Sequence, residues 1–210
     1  MTLAGPPGLP TPRAGRPLVM GVVNVTPDSF SDGGEWFTPE AALAHGRELV
    51  AQGADLLDVG GESTRPGAER PSLAEELRRV LPVVQGLAGV APVSVDTMRA
   101  EVAAAALDAG AVLVNDVSGG LADPSMAALV AERSVPYVAM HWRAHSTRMQ
   151  SLAVYDDVVT DLCRELTARV EALTGAGVDP ANTVLDPGFG FAKTTAHNWE
   201  VLRRLDAGTL

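Results

Sequence analysis

Cysteine is almost missing from this chain: Cys163 is the only one among 210 residues. That excludes an internal disulfide and any cysteine-based metal cluster. Cys163 sits among helix-spaced residues, so it reads as an inert thiol. Lysine is as scarce. Lys193 stands alone in a Gly-Phe-Ala-Lys stretch and reads as solvated. Aromatic residues make up only 4% against 46% hydrophobic residues overall. This composition suits a core of Ala, Val and Leu, as in helix-coated parallel sheets. Positive charge is outnumbered, with a formal net charge of −10. A chain this acidic lacks the basic footprint of non-specific nucleic-acid binders, and any anionic ligand must be held by local positive features. There is no uninterrupted apolar run of spanning length and no charged-then-apolar leader, so no membrane segment is expected and the reading is soluble and cytoplasmic.

What is present is a repeated pattern. Short apolar runs end abruptly in polar residues, and each is followed by helical periodicity. The first run, at Met20 to Val23, ends on Asn24 and opens into a loop rich in Thr, Pro, Asp, Ser and Gly that reaches Gly34. Thr38-Pro39-Glu40 then supplies an N-cap, a proline at the first helical position and an acid in the first turn. Further runs begin at Leu56, Val93, Val112, Tyr137 and Thr183, with helices between them and a last helix opening near Thr195. Six strand–helix units in strict alternation require a parallel sheet with right-handed crossovers. Residues 1–17, rich in Pro and Gly without periodicity, read as a flexible arm, and residues 18–210 as one domain.

Two closures fit such a sheet: an open doubly wound sheet, or a barrel of eight units of which six are visible. No G-x-G-x-x-G follows the first strand, which lowers the dinucleotide-binding reading. Polar residues end nearly every strand instead of clustering at one crevice, and that favours a (β/α)8 barrel. The 210 residues are then expected to be shorter than the functional protein, lacking two barrel units.

Taken singly, the strand-end residues are weak signals. Asp96 could cap a helix, Asn115 could shape a turn, and Asp186-Pro187-Gly188 is a competent turn by itself. In a barrel, however, all three converge on one rim. Two carboxylates and a carboxamide make an acceptor-rich pocket for a planar ligand displaying several N–H groups, such as an aminopyrimidinone edge. Metal ligation by the two aspartates competes with that reading. Asn24 could cap its turn or offer its carbonyl oxygen to Mg²⁺, and Arg65 could meet an anionic group. His141 shows no evident carboxylate partner in the sequence and reads as a packed or hydrogen-bonded histidine and not as a general base.

The motifs GVVNVTPDSFSDGG (21–34), DVGGESTRPG (58–67), SVDT (94–97), VNDV (114–117), Met140-His141 and LDPGFGFAK (185–193) occur together and in this order. On them the sequence resembles the dihydropteroate synthases. The resemblance implies a (β/α)8 TIM barrel and a transferase that joins 6-hydroxymethyl-7,8-dihydropterin diphosphate to 4-aminobenzoate, releasing pyrophosphate and 7,8-dihydropteroate. By motif, Asp96, Asn115 and Asp186 would hold the pterin, with Met140 and Phe191 in its pocket. Asp96 and Asp186 would also stabilise positive charge during reaction. Asn24 would bind Mg²⁺, and Thr64 would lie at the diphosphate. Phe30, Arg65 and Pro66 would form the aminobenzoate site at which sulfonamides compete. A homodimer is implied for the full-length family member. A pterin-contacting lysine in a Ser-Arg-Lys segment and a final Arg-x-His, both family features, have no counterpart here. A methyltetrahydrofolate-type methyltransferase and an inactive pterin-binding fragment are the alternatives, and the Ser63 to Gly67 loop favours the synthase over the former.

Overall fold

The computed structural model describes residues 6–12, 15–26, 38–63 and 68–205. Strand β1 (Met20–Asn24) is followed by helix α1 (Pro39–Ala51), β2 (Leu56–Gly60), α2 (Leu73–Leu87), β3 (Val93–Asp96) and α3 (Ala100–Asp108). Then come β4 (Leu113–Asp116), α4 (Met126–Arg133), β5 (Tyr137–Met140), α5 (Val158–Gly175), β6 (Thr183–Asp186) and α6 (Thr195–Arg203). The caps follow from side-chain chemistry. Thr38, Ser72, Asp157 and Thr194 each accept a backbone N–H from the first turn of α1, α2, α5 and α6.

All six strands are parallel and pair in chain order, β1-β2-β3-β4-β5-β6. A doubly wound sheet needs its strand order to reverse. This one never does, so the strip is six consecutive units of a barrel wall. Alternation along the strands sorts side chains between two faces. Val23, Leu57, Val59, Val93, Val95, Val114, Tyr137 and Ala139 face outward into the main core, against Val80, Val83, Val84, Leu87, Val102 and Ala106 of α2 and α3. Helix α3 is nearly all alanine where it meets the sheet, which lets its backbone approach closely.

The inner face is layered along the strands. At the N-terminal end Leu56, Leu113 and Val138 pack with Met20, Val184, Leu18 and Leu9. The arm expected to be flexible is therefore tied down in its described part. Leu9 plugs this end, and Arg16 pairs with Asp55 at 2.8 Å while also donating to the Gly53 carbonyl. A proline-rich composition hides such anchoring because it rests on contacts with residues far along the chain. Toward the C-terminal end the inner face turns polar. Val22 on β1 stays 52% exposed there, as do Trp199 (66%) and Leu202 (48%) on α6 at the other end of the strip.

Candidate active site at the strand ends

The polar layer is set by register. Asn24 pairs with Gly60, Gly60 with Asp96, and Asp96 with Asn115, giving one row across β1 to β4. Gly60 leaves a gap in that row: a Cβ there would stand 3.1 Å from Asp96 Oδ2. Asn115 donates one N–H of Nδ2 to Oδ2 of Asp58 at 2.9 Å, which fixes the carboxamide within the row and leaves its oxygen as an acceptor. Asp58 is buried on the same face, and burial raises its carboxyl above the usual range against the help of Ser94 and Asn115. Asp96 is pushed well above that range, first by loss of solvent and then by the charges of Asp58, Asp116, Glu76 and Glu62. It is a carboxylate short of donors. Asp96 caps no helix: the first N–H of α3, at Ala100, goes to Oδ2 of Asp123.

Asp186 closes β6 in register with Met140, the inward-facing end of β5. Its Oδ1 accepts the Gly188 amide at 2.7 Å, which is the turn role the sequence allows, and leaves Oδ2 for a ligand. Gly188 has φ +68°, and a Cβ there would lie 2.6 Å from the His141 carbonyl. Met140, Met98 and Val117 are buried together, with Trp142 and Phe191 packed on them. Met140 and Phe191, named from the sequence, thus share one apolar wall beside Asp186. Met98 and Val117 join this wall as apolar residues that carry no strand-end signal of their own, Val117 as the last residue of the VNDV motif.

One reading changes, and a second gains a partner. Lys193 is not solvated: it is 3% exposed and donates to His141 Nδ1 at 3.0 Å and to the carbonyls of Gly188 and Phe191. His141 does have a carboxylate partner, Glu165 on α5, at 2.8 Å from Nε2. Both depend on pairings of 24 or more residues in sequence separation, so only the fold reveals them.

The root of the β2–α2 loop is held by a second network. Glu76 of α2 is fully buried and accepts from Thr97 Oγ1 at 2.5 Å and from Arg99. Arg99 also reaches the Pro71 carbonyl and stands 3.8 Å from Glu62, which Arg70 bridges at 2.9 Å. Arg79 donates to the Gly61 carbonyl. Thr97 follows Asp96 directly, so this network joins the pocket's carboxylate to Gly61 and Glu62 after β2 and to Arg70 and Pro71 before α2. Phe30, Thr64, Arg65 and Pro66 lie outside the described residues.

Residues 20–209 match the family model described as pterin binding enzyme. This chain belongs to the pterin binding enzyme family. It is 54% identical to the dihydropteroate synthase of Mycobacterium leprae over 189 residues, covering 89% of this chain and 66% of that protein. It is 46% identical to that of Bacillus subtilis over 194 residues, covering 91% of this chain and 65% of the relative. The chain therefore spans about two thirds of the length of these curated relatives. Among solved structures, it is similar to Xanthomonas albilineans dihydropteroate synthase with 4-aminobenzoic acid, at 49% identity and TM-score 0.85 over 92% of this chain and 69% of that one. It is likewise similar to the Yersinia pestis enzyme in a sulfonamide drug complex, at 43% identity and TM-score 0.88 over 96% and 74%.

In a pterin binding enzyme, the expectation of Mg²⁺ rests here on Asn24. Its side chain is exposed at the end of β1 and offers a single neutral oxygen. Among the described residues no group of three or more His, Cys, Asp or Glu could hold a metal. One carboxamide fits an ion that keeps most of its waters and takes its other oxygens from substrate phosphates. Among the described residues no helix is long and apolar enough to cross a membrane.

Proposed function

We propose that this chain carries the pterin site of a dihydropteroate synthase, which condenses 6-hydroxymethyl-7,8-dihydropterin diphosphate with 4-aminobenzoate to give 7,8-dihydropteroate and pyrophosphate. The observation that carries the reading is the placement of Asp96, Asn115 and Asp186 on one inner face at the ends of β3, β4 and β6. The identity to named dihydropteroate synthases supports it over a methyltransferase. Solved relatives holding 4-aminobenzoic acid and 7,8-dihydropteroate support both substrates.

Asp96 and Asp186 accept from the ring N–H and exocyclic amine, Asn115 offers its oxygen, and Met140 and Phe191 cover the ring face. A carboxylate starved of donors in the free protein gains most when a donor-rich ring arrives, and charge-assisted bonds of this kind are each worth about 1.5–3 kcal/mol. During reaction the methylene C–O bond to the diphosphate breaks, and the aryl amine forms the new C–N bond and gives up a proton. Asp96 and Asp186 stabilise the positive charge that develops on the pterin. Asn24 would hold Mg²⁺, which would supply charge neutralisation for the departing pyrophosphate. Thr64 serves the diphosphate, and Phe30, Arg65 and Pro66 the aminobenzoate. Loops after β1 and β2 exclude water that would otherwise capture the cation. The reading further proposes a cytoplasmic homodimer that sulfonamides inhibit by competing with 4-aminobenzoate.

Product formation from the two substrates tests this, measured on the chain and on the chain extended through two further strand–helix units. Dihydropteroate release by the extended form is expected. No release, with both substrates saturating, would contradict the proposal.

A further inference from the structure

Lys193 lies in the loop between β6 and α6, where a lysine would ordinarily reach solvent, yet it is buried. Its amine has three N–H groups and three acceptors: His141 Nδ1 at 3.0 Å, the Gly188 carbonyl at 3.1 Å and the Phe191 carbonyl at 3.2 Å. An ammonium there is fully satisfied. This pairing also fixes the imidazole. Nδ1 accepts, so Nε2 carries the proton and donates to Glu165 Oε2 at 2.8 Å. Arg143 grips Glu165 through Nε at 3.1 Å and Nη2 at 2.5 Å, and its guanidinium lies 3.9 Å over the Tyr155 ring. Tyr155 in turn donates to the Ala192 carbonyl at 2.9 Å, closing the circuit next to Lys193. Ala192 has φ +48°, a backbone conformation alanine keeps only where its surroundings hold it.

The circuit therefore ties the end of β5, helix α5 and the β6–α6 loop to one amine. That loop holds the Gly188 amide on Asp186 and places Phe191 in the apolar wall. We propose that Lys193 is a positioning residue that holds the 188–193 loop, and through it Asp186 and Phe191, in the shape that receives the pterin. The inference rests on the pterin reading above and deepens it.

The charged or titratable groups facing Lys193 are His141 at the end of β5, Arg143 in the following loop, Glu165 of α5 and Asp186 of β6. Removing its proton leaves two N–H groups for three acceptors, so the loop loosens. Burial lowers the amine to about 8, within reach of ordinary buffers. His141, lowered to about 4 chiefly by burial, stays neutral across that range.

Calorimetric titration with 6-hydroxymethyl-7,8-dihydropterin diphosphate from about pH 6.5 to about pH 9.5 tests this on wild type, Lys193→Met and Asp186→Ala. Wild-type affinity is expected to fall about tenfold or more across the range, and Lys193→Met to bind at least about tenfold more weakly at the low end with a flat profile. Thermal denaturation of each form runs alongside. A residue that only supported the fold would lower the melting point and leave the slope with pH unchanged. Wild-type affinity that is constant with pH, or Lys193→Met falling in parallel with wild type, overturns the inference, and the wild-type profile decides even if the variant does not fold. Wild type that binds no pterin diphosphate at any pH overturns the pterin reading itself, and this inference with it.

Discussion

At the scale of single residues the clearest tension is at Asp96, whose carboxyl is raised well above the ordinary value by burial and by four neighbouring acids. A folded-state pKa above the unfolded one means the native form holds the extra proton. Stability is then greatest below the ordinary carboxylate value and declines as pH rises through the raised value. Asp96→Asn is expected to melt higher than wild type near neutral pH, with the difference shrinking toward about pH 4, and to lose pterin binding. Melting curves over that range check this, and a variant less stable than wild type near neutrality would contradict it. Such a trade of stability for a poised acceptor is common at sites. Asp96, Asn115 and Asp186 were legible in the sequence because each is a polar residue where an apolar strand runs out. Asp58 was not, because a carboxylate inside a strand, two residues before Gly60, declares its direction only once the register is known. The burial of Lys193 and the Glu165 partner of His141 escape the sequence for a related reason. Both depend on other strands and helices, which local sequence does not display.

Among the elements, the β6–α6 loop carries the sharpest steric demand. Gly188 combines a left-handed φ with a backbone carbonyl 2.6 Å from where a Cβ would sit. Gly188→Ala is expected to cost roughly 1–3 kcal/mol of stability and to weaken pterin binding, since the Gly188 amide is what holds Asp186. A urea midpoint within error of wild type would contradict this. The six strands and six helices themselves were readable almost to their ends. Apolar runs of four or five residues alternating with capped, periodic segments leave little room for another assignment. Thr38-Pro39 at α1 and the Val158, Leu162, Leu166 stripe of α5 show both signals in the structure. What the elements concealed was anchoring over distance. Leu9 and Arg16 secure the described part of a segment whose composition argued for disorder.

For the molecule as a whole, one inner face is divided between an apolar layer at one end of the strands and a polar layer at the other. Leu56, Leu113 and Val138 fill the first, and Asp58, Asp96, Asn115 and Asp186 occupy the second. This division turns a barrel wall into a binding rim, and the chain-order pairing of all six strands brings the rim together. The central claim is that this rim grips one flat, donor-rich heterocycle. Calorimetry of pterin diphosphate against wild type and Asp186→Ala tests it most directly. The charge-assisted hydrogen bond at the free Oδ2 is lost in the variant, so affinity is expected to fall by roughly tenfold to a hundredfold. An Asp186→Ala protein that binds pterin diphosphate as tightly as wild type would contradict the account.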